Sequence, residues 1–230
     1  MLGEKFRSLF RSNGPPPPNG AAICPSLQRA HTHLLYPQNG AADRTSNGLR
    51  QFFDAVRGQR LQILDLGGAC QANINFITSK GHKLYSEDLL VCLERILSQT
   101  RDPAARAALC HRFLHETLDF PDQIFDGILV WDSLEFLDEE ILAAVVSRFL
   151  TVIKPGGVLL TFFHTQAKGQ AVPIYRYQIQ TPDTLRLQLR FSRPLPRAFN
   201  NRHLERLFGQ FRSVKFFLAK DGLREVIVTR

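Results

Sequence analysis

The sequence predicts an α/β domain, a mostly parallel sheet with helices on both faces. Three observations predict it. Residues 61–89, LQILDLGGACQANINFITSKGHKLYSEDL, read as strand, small-residue turn, helix and second strand. Residues 125–163 repeat the alternation: the apolar run Gly127 to Val130, a helical stripe of Leu142, Val145, Val146 and Phe149, then the apolar run Val158 to Phe163. The chain closes on a hairpin pattern, Ser213 to Ala219 and Glu225 to Thr229 around Lys220-Asp221-Gly222.

Taken in order, residues 1–22 hold Pro15 to Pro18 between Asn13-Gly14 and Asn19-Gly20. Such a segment buries no core, so a disordered, proline-rich arm is expected, with the folded domain at residues 23–230. Phe6, Leu9 and Phe10 among Lys5, Arg7 and Arg11 suit a short amphipathic helix, a plain tail being the simpler reading. Residues 23–46 carry no assignable pattern; His31 and His33 alternate as ligands on a strand would, without a third ligand nearby. Leu49 to Val56, with Phe52, Phe53 and Val56 on one face, reads as a helix.

Leu61 to Leu66 is the first apolar strand, and Gly67, Gly68 and Ala69 form the turn after it, where a backbone bends tightly or approaches a ligand. A helix over Ala72 to Lys80 stops at Gly81; the strand His82 to Ser86 ends at the acids Glu87-Asp88. Leu89 to Ser98 reads as a helix with Leu90, Leu93 and Leu97 as its stripe, and Asp102 to Leu114 as another with Pro103 near its first turn. His111 and His115 stand four apart but lack the carboxylate a metal site needs. Asp138 is expected to cap the helix that follows the fourth strand, and Lys154-Pro155-Gly156-Gly157 to close it.

Residues 170–198 look inserted. Ile174 to Gln180 and Leu185 to Phe191 alternate as two strands about the turn Thr181-Pro182-Asp183-Thr184. Arg186, Arg190, Arg193 and Arg197 make the insert basic. Two readings stay open: a lid whose arginines bind an anionic acceptor, or a structural hairpin with solvated arginines. Asn201 to Phe208 is a short helix capped by Asn200 or Asn201.

Composition sets outer limits. A hydrophobic fraction of 44% and a charged fraction of 22% over 230 residues suit one soluble globular domain. No apolar run approaches the roughly 18 residues of a membrane span. The opening MLGEKFRSLFRSNG has no apolar signal core, so the cytoplasm is the expected location. The four cysteines form no C-x-x-C pair, and free thiols are expected. The net charge of +8 is unevenly spread: residues 51–165 carry 10 basic and 15 acidic groups, residues 166–230 carry 13 and 4. A basic end suits an anionic partner or a solvated surface.

The turn after the first strand departs from the nicotinamide fingerprint G-x-G-x-x-G. Asp65-Leu66-Gly67-Gly68-Ala69-Cys70-Gln71 instead resembles the first motif, D-x-G-x-G-x-G, of the class I S-adenosylmethionine-dependent methyltransferases, with Ala69 and Gln71 at the second and third glycines. Asp88 lies 23 positions after Asp65, where that family carries the acid of its second strand tip. Phe120-Pro121-Asp122, Phe125-Asp126 and the K-P-G-G turn resemble its fourth and fifth strand segments. The resemblance implies a Rossmann-like sheet of seven strands in the order 3-2-1-4-5-7-6, closing on an antiparallel hairpin.

It also implies S-adenosylmethionine as cofactor and transfer of its methyl group to an acceptor, here expected to be a small or anionic molecule. Gly67, Gly68 and Ala69 would wrap the cofactor's amino-acid portion, with Asp65 behind them holding the turn or reaching the ammonium through water. Asp88 or Glu87, with Leu89 next to them, would meet the ribose. The family's adenine-binding acid is missing at Leu114-His115, which leaves Glu116 as the candidate. Trp131 and Asp132 fall near the methyl and acceptor, and His164 is the histidine best placed for a base, since ligands of such sheets gather at strand carboxyl ends. A competing reading is a catalytically inactive module of this fold, acting through its basic ends. Nucleic-acid methylation is the weaker expectation, because Trp131-Asp132-Ser133-Leu134 stands where N-P-P-Y or D-P-P-Y would be.

Overall fold

The structure, a computed structural model, describes residues 41–99, 106–219 and 221–230. The expected arm, the His31 and His33 pair, Pro103 and the turn residue Lys220 lie outside the described residues. From Ala41 the chain runs β1 (Ala41–Thr45), α1 (Asn47–Ala55), β2 (Gln62–Asp65), α2 (Gln71–Ser79), β3 (Lys83–Ser86), α3 (Leu89–Gln99) and α4 (Arg106–Leu118). There follow β4 (Phe125–Trp131), a 3-10 turn (Ser133–Phe136), α5 (Glu139–Val152), β5 (Ile153–His164), β6 (Ala171–Thr181) and β7 (Thr184–Pro194). The last elements are α6 (Asn201–Leu207), β8 (Ser213–Leu218) and β9 (Leu223–Thr229).

Six strands form the main sheet in the order β3-β2-β4-β5-β9-β8. β3, β2, β4 and β5 are parallel neighbours, while β9 pairs antiparallel with both β5 and β8. This is the expected order without its outermost member. Of the seven strands expected, the one beyond β3 is absent among the described residues. Between β3 and β4 the described residues form α3 and α4, and a turn at Asp122-Gln123 leads into β4.

Each face of the sheet carries its own core. Ile128 and Val130 point into one with α3, α4, α5 and α6; Leu129 and Trp131 point into the other with α1, α2 and the insert, the two-residue alternation of a strand buried on both faces. Gly127 admits Phe52 of α1 against β4: a Cβ there would fall 2.5 Å from that ring. Asp138 accepts from the Ile141 N–H at 2.9 Å and Asn200 from the His203 N–H at 2.9 Å, so both caps stand, Asn200 being the second. Lys154-Pro155-Gly156-Gly157 does not end α5, which stops at Val152. It forms the irregular start of β5 instead, with Gly156 at φ 79° and Lys154 paired to both oxygens of Asp126 at 2.8 Å.

The insert forms the expected hairpin, with β6 and β7 antiparallel, and gains a third strand. β1 pairs antiparallel with β7 and makes a separate sheet, β1-β7-β6, on the α1/α2 face. Arg44 of β1 is buried and ion-paired to Asp221 and Glu225, so the small sheet is tied to β9 of the large one. Glu225 also accepts from Ser46 Oγ at 3.0 Å and from the Gly48 N–H. No helix among the described residues is long and apolar enough to cross a membrane.

Candidate functional site

Because β3, β2, β4 and β5 are parallel, their carboxyl ends share one edge of the sheet. That edge brings together Asp65 and the Gly67-Gly68 turn after β2, Glu87 and Asp88 after β3, Trp131 and Asp132 at the end of β4, and His164 at the end of β5.

Trp131 dominates it. Pairing of β4 with β5 slips between Leu129 and Trp131, and Trp131 sits at φ 58°, a conformation rare for a bulky residue. Its indole lies against Gly67, where an added Cβ would be 2.5 Å from Cδ1 and 2.7 Å from Nε1. Glycine is therefore required at 67 by the close approach of the protein's own tryptophan. Trp131 Nε1 donates to Asp65 Oδ1 at 2.7 Å, and the ring stacks on Tyr177 of β6 with centroids 4.9 Å apart and planes 3° from parallel.

Asp65 is buried and fully engaged. Besides Trp131 it accepts from the Gly67 N–H at 3.0 Å and Asn73 Nδ2 at 2.8 Å. Burial raises its pKa, against the pull of those donors. The Gly67 bond ties the turn to the end of β2. Asn73 also donates to the Tyr177 carbonyl at 3.0 Å and accepts from the Ile179 N–H at 2.8 Å, docking β6 onto α2. Sequence reasoning missed Asn73 and Tyr177. The available signal was an asparagine one turn before Ile77, on the face of α2 that points inward.

At the second strand tip, Gly68 is at φ 85° and its N–H donates to the Glu87 carbonyl at 3.0 Å. Asp88 Oδ1 accepts from the Val91 N–H at 3.0 Å, while Oδ2 faces Arg190 of β7 at 3.4 Å. Glu87 and Ala69 are exposed; Leu89 is buried in the core at the start of α3. Glu116 is held on α4 by Arg95 and Arg112, each 2.6 Å away.

Beyond Trp131 lies a buried acid–base cluster. Asp132 accepts from the Tyr177 hydroxyl at 2.9 Å, and burial pushes its pKa up to about 6. Burial and the adjoining Asp132 drive the Tyr177 phenol well above its ordinary value. Glu135 bonds His164 Nδ1 with one oxygen and accepts the His164 N–H with the other at 2.9 Å. Burial works against charge on His164, but the Glu135 hydrogen bond and charge outweigh it, and its pKa is raised. Glu135 was not foreseen, since a glutamate inside a 3-10 turn gives no motif.

The insert's arginines turn to the protein's own groups. Arg186 pairs with Asp43 at 2.9 Å, Arg190 with Asp88, and Arg193 with Glu94 at 3.2 Å while lying 4.8 Å from the Phe136 and Phe191 rings. Arg197 lies over Phe199. No group of three or more metal-binding side chains occurs among the described residues.

No family model matches the chain, and no curated protein matches it either. Solved structures do superpose. An amino pentose methyltransferase of Micromonospora echinaspora with bound S-adenosylmethionine is 18% identical, with 79% of this chain and 88% of that one covered at a TM-score of 0.48. A Burkholderia thailandensis 1,6-didemethyltoxoflavin N1-methyltransferase with S-adenosylhomocysteine is 18% identical, with 80% and 76% covered at 0.44. A protein of Bordetella parapertussis described as a possible exported protein is 14% identical, with 99% and 79% covered at 0.48. Likenesses this loose say nothing about chemistry.

Proposed function

We propose that the chain is a methyltransferase of the class I fold that takes S-adenosylmethionine at the carboxyl edge of β2 and β3 and acts on a small-molecule acceptor. The observation that carries this reading is the convergence of the Gly67-Gly68 turn, the Glu87-Asp88 tip and the Asp132 and His164 groups on one sheet edge. Gly67, Gly68 and Ala69 would lie beside the cofactor's amino-acid portion, Glu87 and Asp88 would accept from the ribose hydroxyls, and Leu89 would flank them. Glu116, held by Arg95 and Arg112, would be the acid offered to the adenine.

When bound, the cofactor supplies a methyl on a sulfonium whose departure needs no acid. The chain's part is then to orient the acceptor and exclude water. Trp131 and Asp132 would border the acceptor. His164, held through Nδ1 by Glu135, would be the base where the acceptor has a proton to lose.

The residue types suit the cofactor, but the space over Gly67 is filled by Trp131, so the two cannot share it. That filling favours a second reading, a non-catalytic module of the same fold. Titration of wild type and Trp131→Ala with S-adenosylhomocysteine, beside a Glu87→Ala/Asp88→Ala double variant in each background, separates the two. Binding that disappears with the acids supports the methyltransferase reading. A folded protein that binds in neither background leaves the module.

A further inference from the structure

We propose that Trp131 is a displaceable plug in the cofactor position, clamped shut by the inserted sheet, so that cofactor enters only when β6 and β7 withdraw. The inference rests on the methyltransferase reading above and adds to it a closed state and the parts that hold it.

The clamp has two jaws, both on the insert. Tyr177 of β6 stacks flat on the Trp131 indole, and its hydroxyl is tied to Asp132 at 2.9 Å, so the ring cannot slide without breaking a buried hydrogen bond. Arg190 of β7 reaches Asp88 Oδ2, the acid that would otherwise face the ribose. One sheet thus covers the place of the amino-acid portion and competes for the ribose acid. Asn73 fixes β6 over the turn by bonding Tyr177 O and the Ile179 N–H.

Strain points the same way. A bulky aromatic at φ 58° within an irregular strand end is held by its surroundings: the Asp65 hydrogen bond, the Tyr177 stack and the Thr161 hydroxyl, which donates to the Trp131 carbonyl at 2.8 Å. Removal of the stack frees the residue to relax toward ordinary backbone, which carries the indole off Gly67. Such a residue has two arrangements, and a ligand that fits only one of them selects it. Apparent affinity is then lowered by the small fraction of molecules that stand open.

Trp131 is the single tryptophan of the chain and reports on itself. Emission and acrylamide quenching of the wild type are followed during titration with S-adenosylhomocysteine, and affinities of wild type, Trp131→Ala, Tyr177→Leu and Arg190→Ala are measured by calorimetry. The plug predicts at least about tenfold tighter binding in Trp131→Ala and a smaller gain in Tyr177→Leu, as the closed fraction falls. Arg190→Ala is expected to tighten binding and flatten its salt dependence. Wild-type emission should move to the red and quench more readily as the site fills. Equal or weaker binding by Trp131→Ala overturns the plug while leaving the methyltransferase reading standing. Trp131→Phe, which keeps a ring but loses the Nε1 bond to Asp65, guards against misfolding, and it should bind no more than a few-fold more tightly than wild type. Failure of every folded variant to bind overturns both.

Discussion

Asp132 is a carboxyl that folding would rather keep protonated. Its folded pKa of about 6 lies above the ordinary aspartate range, because burial disfavours the charge. Its contribution to stability is therefore complete below about pH 4, lost as the pH rises to about 6 and constant beyond. Asp132→Asn keeps an acceptor for Tyr177 and removes the charge. Thermal unfolding should find the variant's advantage over wild type growing between about pH 4 and 6, to on the order of 2–3 kcal/mol, then levelling. A difference that stays flat across that range would mean the carboxyl is not paying a burial penalty. His164 acts in the same direction at higher pH: raised above its ordinary value, it supports the fold below about pH 6.5 and loses that support as pH climbs through the folded value. At position 67, alanine is expected to disrupt the packing of Trp131 and lower the melting temperature, because the new methyl would sit 2.5 Å from the indole.

Among elements, the ones readable from sequence carried their own punctuation. β2, α2 and β3 follow from an apolar run, two glycines, a helical face and Gly81, and Asp138 marked the start of α5 before the stripe of Leu142, Val145 and Phe149. Asp138→Ala should cost about 1 kcal/mol, seen as a lower denaturant midpoint with an unchanged slope. β1 was not readable because Ala41-Ala42-Asp43-Arg44-Thr45 has no apolar alternation; it is a strand through its pairing to β7. The expected outer strand came from the resemblance alone, and the described residues between β3 and β4 are helical instead. Within the site, the positions of the glycines and acids were legible, but their occupants were not. That Trp131 turns back onto Gly67 depends on a slip in β4 pairing and on a tyrosine 46 positions downstream, neither of which leaves a local pattern.

At the scale of the whole molecule, the two sheets are joined by a buried charge cluster. Arg44→Ala would strand Glu225 in the interior, and a loss of about 3–5 kcal/mol in urea denaturation is expected. Arg44→Ala with Glu225→Gln should recover part of it, since no buried charge is left without a partner.

The same junction has a temporal side. Arg44 and Glu225 are 181 positions apart, and the residues of β1 meet partners in β7 that lie 139 to 147 positions later in the chain. Pairings across such sequence separation form late, because a long loop must close before they give any return. During synthesis, the β2–α2–β3 unit is complete long before the strand that anchors its cover has left the ribosome. A newly made chain would thus pass through a stage in which the edge that ends up closed is still uncovered, its indole solvated and its strand tips free.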